Sequence, residues 1–116
     1  MSLILDGSAG VTYPAGTTAT LAALGDGQAW TSVTGSRAFG TTYTNSTGKP
    51  IAVSTWGSSV ASGGNLQATV GGVVVSYAQH ESTSNTNVNS YFIVPAGATY
   101  SVASNSVSLV AWVELR

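Results

Sequence analysis

The chain contains no cysteine among its 116 residues. Disulfide frameworks and thiolate metal sites are therefore excluded, while the redox compartment is left open. Charge is almost as scarce, with three basic and four acidic residues making up 6% of the chain, against roughly a quarter in an average soluble domain. Three cations cannot follow a phosphate backbone, so nucleic acid is excluded as a partner. No apolar run approaches the roughly 20 residues of a membrane-spanning helix, and no membrane insertion is expected. The opening Met1–Asp6 lacks the basic flank and longer apolar stretch of a signal peptide, so classical secretion is not expected. Helix-forming Lys, Glu, Arg, Gln and Leu are few; only Thr18–Leu24 offers a possible helical turn.

What is present is Val, Thr, Tyr and Trp in short runs separated by Gly, which favours pleated strands. Ser, Thr, Asn and Gly supply the solubility that charge does not. The length is that of one ordinary domain, able to bury a core without metal or disulfide. Residues 1–26 read as an extended lead-in, open to contacts between subunits, with Gly7, Gly10, Gly16 and Gly25 interrupting short apolar pieces and Pro14 setting a bend. Residues 27–116 read as a head domain with eight strands, near Ala29–Val33, Phe39–Thr44, Ile51–Trp56, Leu66–Val70, Val73–Ala78, Val88–Val94, Thr99–Ala103 and Val107–Leu115. Eight short strands at this spacing predict an all-β fold, an antiparallel, jelly-roll-like β-sandwich.

Two turns are readable. Gly71-Gly72 separates two strand-like runs and supplies the positive φ angles of a two-residue hairpin. Pro95-Ala96-Gly97 predicts a reversal into Thr99–Val102. Gly57–Gly64 and Gln79–Asn87 read as exposed loops. In the last strand, alternation places Val107, Leu109, Ala111, Val113 and Leu115 on a core stripe. The opposite positions are not purely polar, for they include Val110 and Trp112; Tyr91 and Ile93 likewise oppose Phe92 and Val94. Tyr91, Ile93, Val110 and Trp112 are therefore expected at a subunit interface.

Catalysis requires convergent titratable groups, and few are available. The only histidine, His80, adjoins Glu81, and neighbours in an extended strand point to opposite faces. No G-x-S-x-G elbow is present, and a paired-carboxylate glycosidase would have to join distant segments. We therefore expect no enzyme and no cofactor. One histidine without cysteine, and no D-x-[DN]-x-[DN]-G loop, argue against a metal site; His80 could ligate an ion only where three copies met at an axis. Asn45-Ser46-Thr47 matches the glycosylation acceptor pattern, a frequent chance occurrence in a Ser/Thr-rich chain. Recognition remains. Trp56, at the mouth of a Gly/Ser loop, together with His80, Asn85 and Asn87 of the long polar loop, form the candidate ligand-binding set, an indole for stacking and amides for hydroxyl groups.

Several segments resemble a known family. Gly27-Gln-Ala-Trp-Thr-Ser-Val-Thr34, Ser36-Arg-Ala-Phe-Gly-Thr-Thr-Tyr-Thr-Asn45 and Thr47-Gly-Lys-Pro-Ile51 resemble a stretch found in the C-terminal tip regions of tailed-bacteriophage and prophage tail-fibre proteins. Phe92-Ile-Val-Pro-Ala-Gly-Ala-Thr-Tyr100 and Trp112-Val-Glu-Leu-Arg116 are similar to the close of the same proteins, and Gly10-Val-Thr-Tyr-Pro-Ala-Gly-Thr17 to the piece before their heads. The resemblance implies a homotrimeric tip on the virion, made in the bacterial cytoplasm and acting outside it. Such a tip adjoins other tail proteins and engages a host surface glycan or outer-membrane receptor. Two other readings stand beside it: a purely structural virion component, for decoration or fibre assembly, and a stand-alone lectin-like module.

Overall fold

The computed structural model describes residues 23–81 and 86–116 together with three backbone strands ahead of them. Those strands, β1 (Ile4–Asp6), β2 (Gly10–Tyr13) and β3 (Thr17–Ala19), form an antiparallel meander. The stretch read as a lead-in thus carries its own small sheet. Thr18 and Ala19 lie in β3 and not in a helical turn, paired with Thr12 and Val11. The chain then bends through Ala23–Gly27, where Gly25 (φ 92°) and Gly27 (φ 67°) take left-handed conformations.

Eight strands follow: β4 (Trp30–Ser32), β5 (Tyr43–Thr44), β6 (Ile51–Ser59), β7 (Gly64–Val70), β8 (Val73–His80), β9 (Asn87–Val94), β10 (Thr99–Asn105) and β11 (Val107–Leu115). They make two antiparallel four-stranded sheets, ordered β4-β11-β6-β9 and β5-β10-β7-β8, packed into a sandwich. The pairings are nested: β4 with β11, β5 with β10, β6 with β9, β7 with β8. This is one long antiparallel hairpin rolled onto itself, the jelly-roll arrangement expected from the strand count. Residues Phe39–Thr42 are not strand; Phe39 packs against the core from an irregular segment instead.

The core is built from alternate positions of both sheets. Ile51 and Val53 of β6, Val88, Phe92 and Val94 of β9, and Trp112 of β11 meet Leu66, Ala68 and Val70 of β7 and Tyr100 and Val102 of β10. Each fully buried aliphatic or aromatic side chain of this kind stabilises by about 1.5–3 kcal/mol. The stripe expected on β11 is only half right. A bulge shifts the register between Leu109 (opposite Gly57) and Ala111 (opposite Trp56), leaving Val110 as the extra residue. Val107 and Leu109 face inward before it; Trp112 and Glu114 face inward after it, and both are fully buried. Ala111, Val113 and Leu115 therefore turn to the outer face. Gly57 is required beside this bulge, because a Cβ there would collide with the Ser108 carbonyl oxygen and meet Val107 Cγ1 at 2.6 Å.

The connections follow from local chemistry. Gly71 (φ 56°) and Gly72 (φ 83°) close the β7–β8 hairpin with Val70 opposite Val73. Pro95–Gly97 does turn the chain, but into the other sheet: β9 and β10 pair with different neighbours. Asn45 fastens that corner. Its side chain is buried; Nδ2 donates to the carbonyls of Lys49 (2.7 Å), Val94 (3.1 Å) and Pro95 (3.1 Å), and Oδ1 accepts from Thr47. The Asn45-Ser46-Thr47 pattern is thus a folding device, with no amide left for a glycan. Residues 57–64 are not one loop. Gly57–Ser59 continue β6 and Gly64 opens β7, leaving a four-residue connection, Val60–Gly63.

Candidate functional site

Two groups of residues carry the polar and aromatic chemistry of the head: a buried carboxylate cluster and one outer sheet face.

The carboxylate is Glu114. It enters the core because the bulge turns the face shared by Trp112 and Glu114 inward. Its Oε2 accepts from Tyr100 Oη (2.8 Å), Trp112 Nε1 (3.0 Å) and Arg37 Nε (3.2 Å). Its Oε1 accepts from Arg116 Nη1 (2.9 Å) and Arg37 Nη2 (3.1 Å). The Arg37 guanidinium also stacks on the Tyr43 ring, 4.5 Å from its centroid. Burial pushes the Glu114 carboxyl up, but hydrogen bonds from Arg37 and Tyr100, the Arg37 charge and the Trp112 bond outweigh it and hold the pKa below the ordinary carboxylate value. Burial, then the bond to Glu114, pushes the Tyr100 phenol up to about 12. Two of the chain's three cations are thus committed to one acid. With no exposed surface and every oxygen engaged, this carboxylate cannot reach a solute. It joins β11 of one sheet to Tyr100 of the other. Among the described residues, no buried side-chain polar atom lacks a partner, and no three His, Asp or Glu side chains gather as metal ligands.

The second group lies on the outside of the β4-β11-β6-β9 sheet. Trp56 does not open a loop; it lies mid-strand in β6, partly exposed, between Ala111 of β11 and Asn89 of β9. Asn87 is exposed at the start of β9, opposite Ser58, and Asn89 is exposed beside it. Ser108 of β11, also exposed, pairs with Ser58 from the other side. Trp56, Ser58, Asn87, Asn89 and Ser108 thus share one uncharged patch. His80 ends β8, in the other sheet, opposite Gly64. Asn85 lies outside the described residues. Of the expected binding set, the structure brings together Trp56 and Asn87 and sets His80 apart.

The expected interface residues divide as well. Tyr91, Ile93 and Val110 are exposed, at 58%, 49% and 51%. Trp112 is not available to another subunit: its indole is fully buried within the chain, 6.3 Å from the Phe39 ring and 5.9 Å from the Tyr43 ring. Asn89, Ser58 and Ser108 escaped sequence reasoning because they are ordinary strand residues until Trp56 is placed beside them. The signal for Glu114 was present: one of four acids, set between Val113 and Leu115 in an apolar strand, implies a buried partner. No known protein family, curated protein or solved structure matches the chain.

Proposed function

We propose that this chain is the host-contacting tip domain of a tail-fibre type protein, a non-catalytic attachment module that acts as a homotrimer and binds surface glycan. The observation that carries the reading is the uncharged patch of Trp56, Ser58, Asn87, Asn89 and Ser108 on a rigid sheet face. An indole offers a flat apolar surface for the carbon face of a sugar ring, and the flanking amides and hydroxyls both donate and accept toward sugar hydroxyls. Because the groups stand on paired strands, little ordering entropy is lost on binding. Each site would be weak, and three copies carried together raise the overall affinity through effective concentration. Neutral recognition of this kind is insensitive to salt, which suits a particle meeting its host in varied media.

A glycan array tests the proposal directly. The protein should bind a restricted set of neutral glycans, and Trp56→Ala should weaken that binding at least about tenfold, the equivalent of ~1.4 kcal/mol, with the fold intact. Absence of any glycan signal, or full binding by the variant, would count against it. A purely structural virion role is the second reading. It is favoured by the apolar side chains exposed on β8 and β9, which an assembly would cover.

A further inference from the structure

Ten large apolar side chains are exposed among the described residues, and six of them lie on two strands: Val73, Val74, Val75 and Tyr77 on β8, Tyr91 and Ile93 on β9. These strands are the last strands of their respective sheets and lie on the same flank of the sandwich; Val74 and Tyr77 border it on the outer face of one sheet, Tyr91 and Ile93 on the outer face of the other. Ser90 Oγ of β9 is 3.0 Å from Ser76 Oγ of β8, bridging the two. The sheets end very differently on the opposite flank, at β4 with three residues and β5 with two. Short edges of that kind offer little backbone for another strand to pair with.

β8 and β9 are eight residues each. Neither contains Lys, Arg, Asp, Glu or Pro, the residues by which exposed edges resist pairing. The one protective feature is a bulge in β8. Ala68 pairs with Ser76 and Thr69 with Val74, so Val75 is the extra residue and Ser76–His80 remain regular.

We propose that the β8–β9 flank is the surface through which copies of this chain join, edge strand to edge strand. The proposal rests on the self-association contained in the reading above and names its surface. A second copy fits this flank better than a charged partner does. The flank is neutral, so bringing like to like sets no charges against each other. The backbone of one edge is complementary to another edge of the same chain by the ordinary antiparallel or parallel ladder. Two adjacent edges allow β8 of one copy to meet β9 of the next, giving every copy a neighbour on each side, a contact that forms a ring where its rotation closes. Eight residues at ~3.3 Å each and two sheets ~10 Å apart, with their side chains, give a flank of roughly 26 by 20 Å. That is of the order of the ~600 Å² per partner that the smaller specific interfaces bury.

The test uses the whole chain in three forms: unaltered, Val74→Lys/Tyr77→Lys on the flank, and Val110→Lys on β11, separated from β9 by β6. Mass by light scattering at micromolar concentration is read together with hydrogen exchange of the Ser76–His80 amides and the same glycan array. Near-UV circular dichroism of the buried Trp112 reports that each form is folded. The unaltered chain and Val110→Lys should show three chain masses and slowed exchange at alternate β8 amides. The Lys pair should fall to one chain mass, with those amides exchanging rapidly. A two-chain assembly dissolved by the Lys pair supports the flank and removes only the three-fold symmetry from the reading above. Retention of full mass by the Lys pair, dissociation by Val110→Lys instead, or a single-chain mass for the unaltered protein overturns the proposal. Glycan binding by such a single chain leaves the recognition reading standing, whereas a flank-joined assembly that binds no glycan overturns recognition alone.

Discussion

The two sheets share one core and turn very different faces outward. The outward positions of β7 and β10 are Asn65, Gln67 and Thr69, and Thr99, Ser101 and Ala103, while β8 at the edge of the same sheet adds Val74 and Tyr77 beside Thr69 and Gln67. Those of the other sheet include Trp30 on β4, then Ala111, Val113 and Leu115, then Ala52, Ser54 and Trp56, then Tyr91 and Ile93. Ala52 is fully buried on that outer side, between Leu115 and Ile93 in register. The polar part of the first face, on β7 and β10, has the solvation that a stable single chain needs. The second face exposes more apolar side chains, among them Trp30, Tyr91 and Ile93, beside its Ser and Asn groups. Under the proposed function β7 and β10 are solvated backing and the β4-β11-β6-β9 face is the one that meets the ligand.

That contrast can be broken first at the join between the sheets. Glu114→Ala removes the acid that ties β11 to Tyr100 and leaves Arg37 and Arg116 without their partner; we expect a loss of about 3–5 kcal/mol in denaturant unfolding, as for other broken buried pairs. The same group sets the pH response. Its folded pKa lies below the unfolded carboxylate value of 4.5, so its contribution is present above that pH and is lost as pH falls through the folded value. Tyr100 acts in the opposite sense: its raised pKa contributes below the unfolded value of 10.0 and is lost as pH rises toward about 12. The melting temperature should be level between these limits and fall on both sides, and Glu114→Gln should flatten the acid limb.

The next largest effect belongs to the apolar-faced sheet alone. Gly57→Ala drives a methyl into the Ser108 carbonyl at the β11 bulge and should cost about 1–3 kcal/mol, a typical overpacking penalty. Loss of the bulge would also return Ala111 and Val113 to the core, visible as a changed near-UV signal from Trp112. At the small end, Thr99→Lys, exposed on β10 and paired with Thr44 away from β8, should shift stability by less than about 0.5 kcal/mol and leave assembly unaltered.

How much of this was legible in the sequence depends on the strand. The eight strands of the head could be located because β-branched and aromatic runs are bounded by Gly, Pro and Asn, and Gly71-Gly72 announced its hairpin through the φ angles it supplies. The inward set of β11 was not legible beyond Leu109. Leu109, Val110 and Ala111 are all apolar, so alternation fits either phase and nothing marks Val110 as the extra residue. Trp112 was misplaced for that reason, and with it the whole Glu114 cluster. Gly57-Ser58-Ser59 has loop composition and so suggests a loop after Trp56; the glycine is there instead for the close approach of Ser108. The face shared by Trp56, Asn87 and Asn89 depends on register between β6 and β9, a non-local fact that no local pattern encodes.

The proposed function gives the two outer faces different work. The most direct measurement is glycan-array binding by matched double variants, one on each face, with the Trp112 near-UV signal checking the fold of both. Trp56→Ala/Asn89→Ala removes the stacking and amide groups of the β4-β11-β6-β9 face; Gln67→Ala/Ser101→Ala makes an equal polar truncation on the β5-β10-β7-β8 face. At least about tenfold weaker binding is expected for the first pair, some ~1.4 kcal/mol, and unchanged binding for the second. Equal loss in both pairs, or loss only in the second, would contradict it.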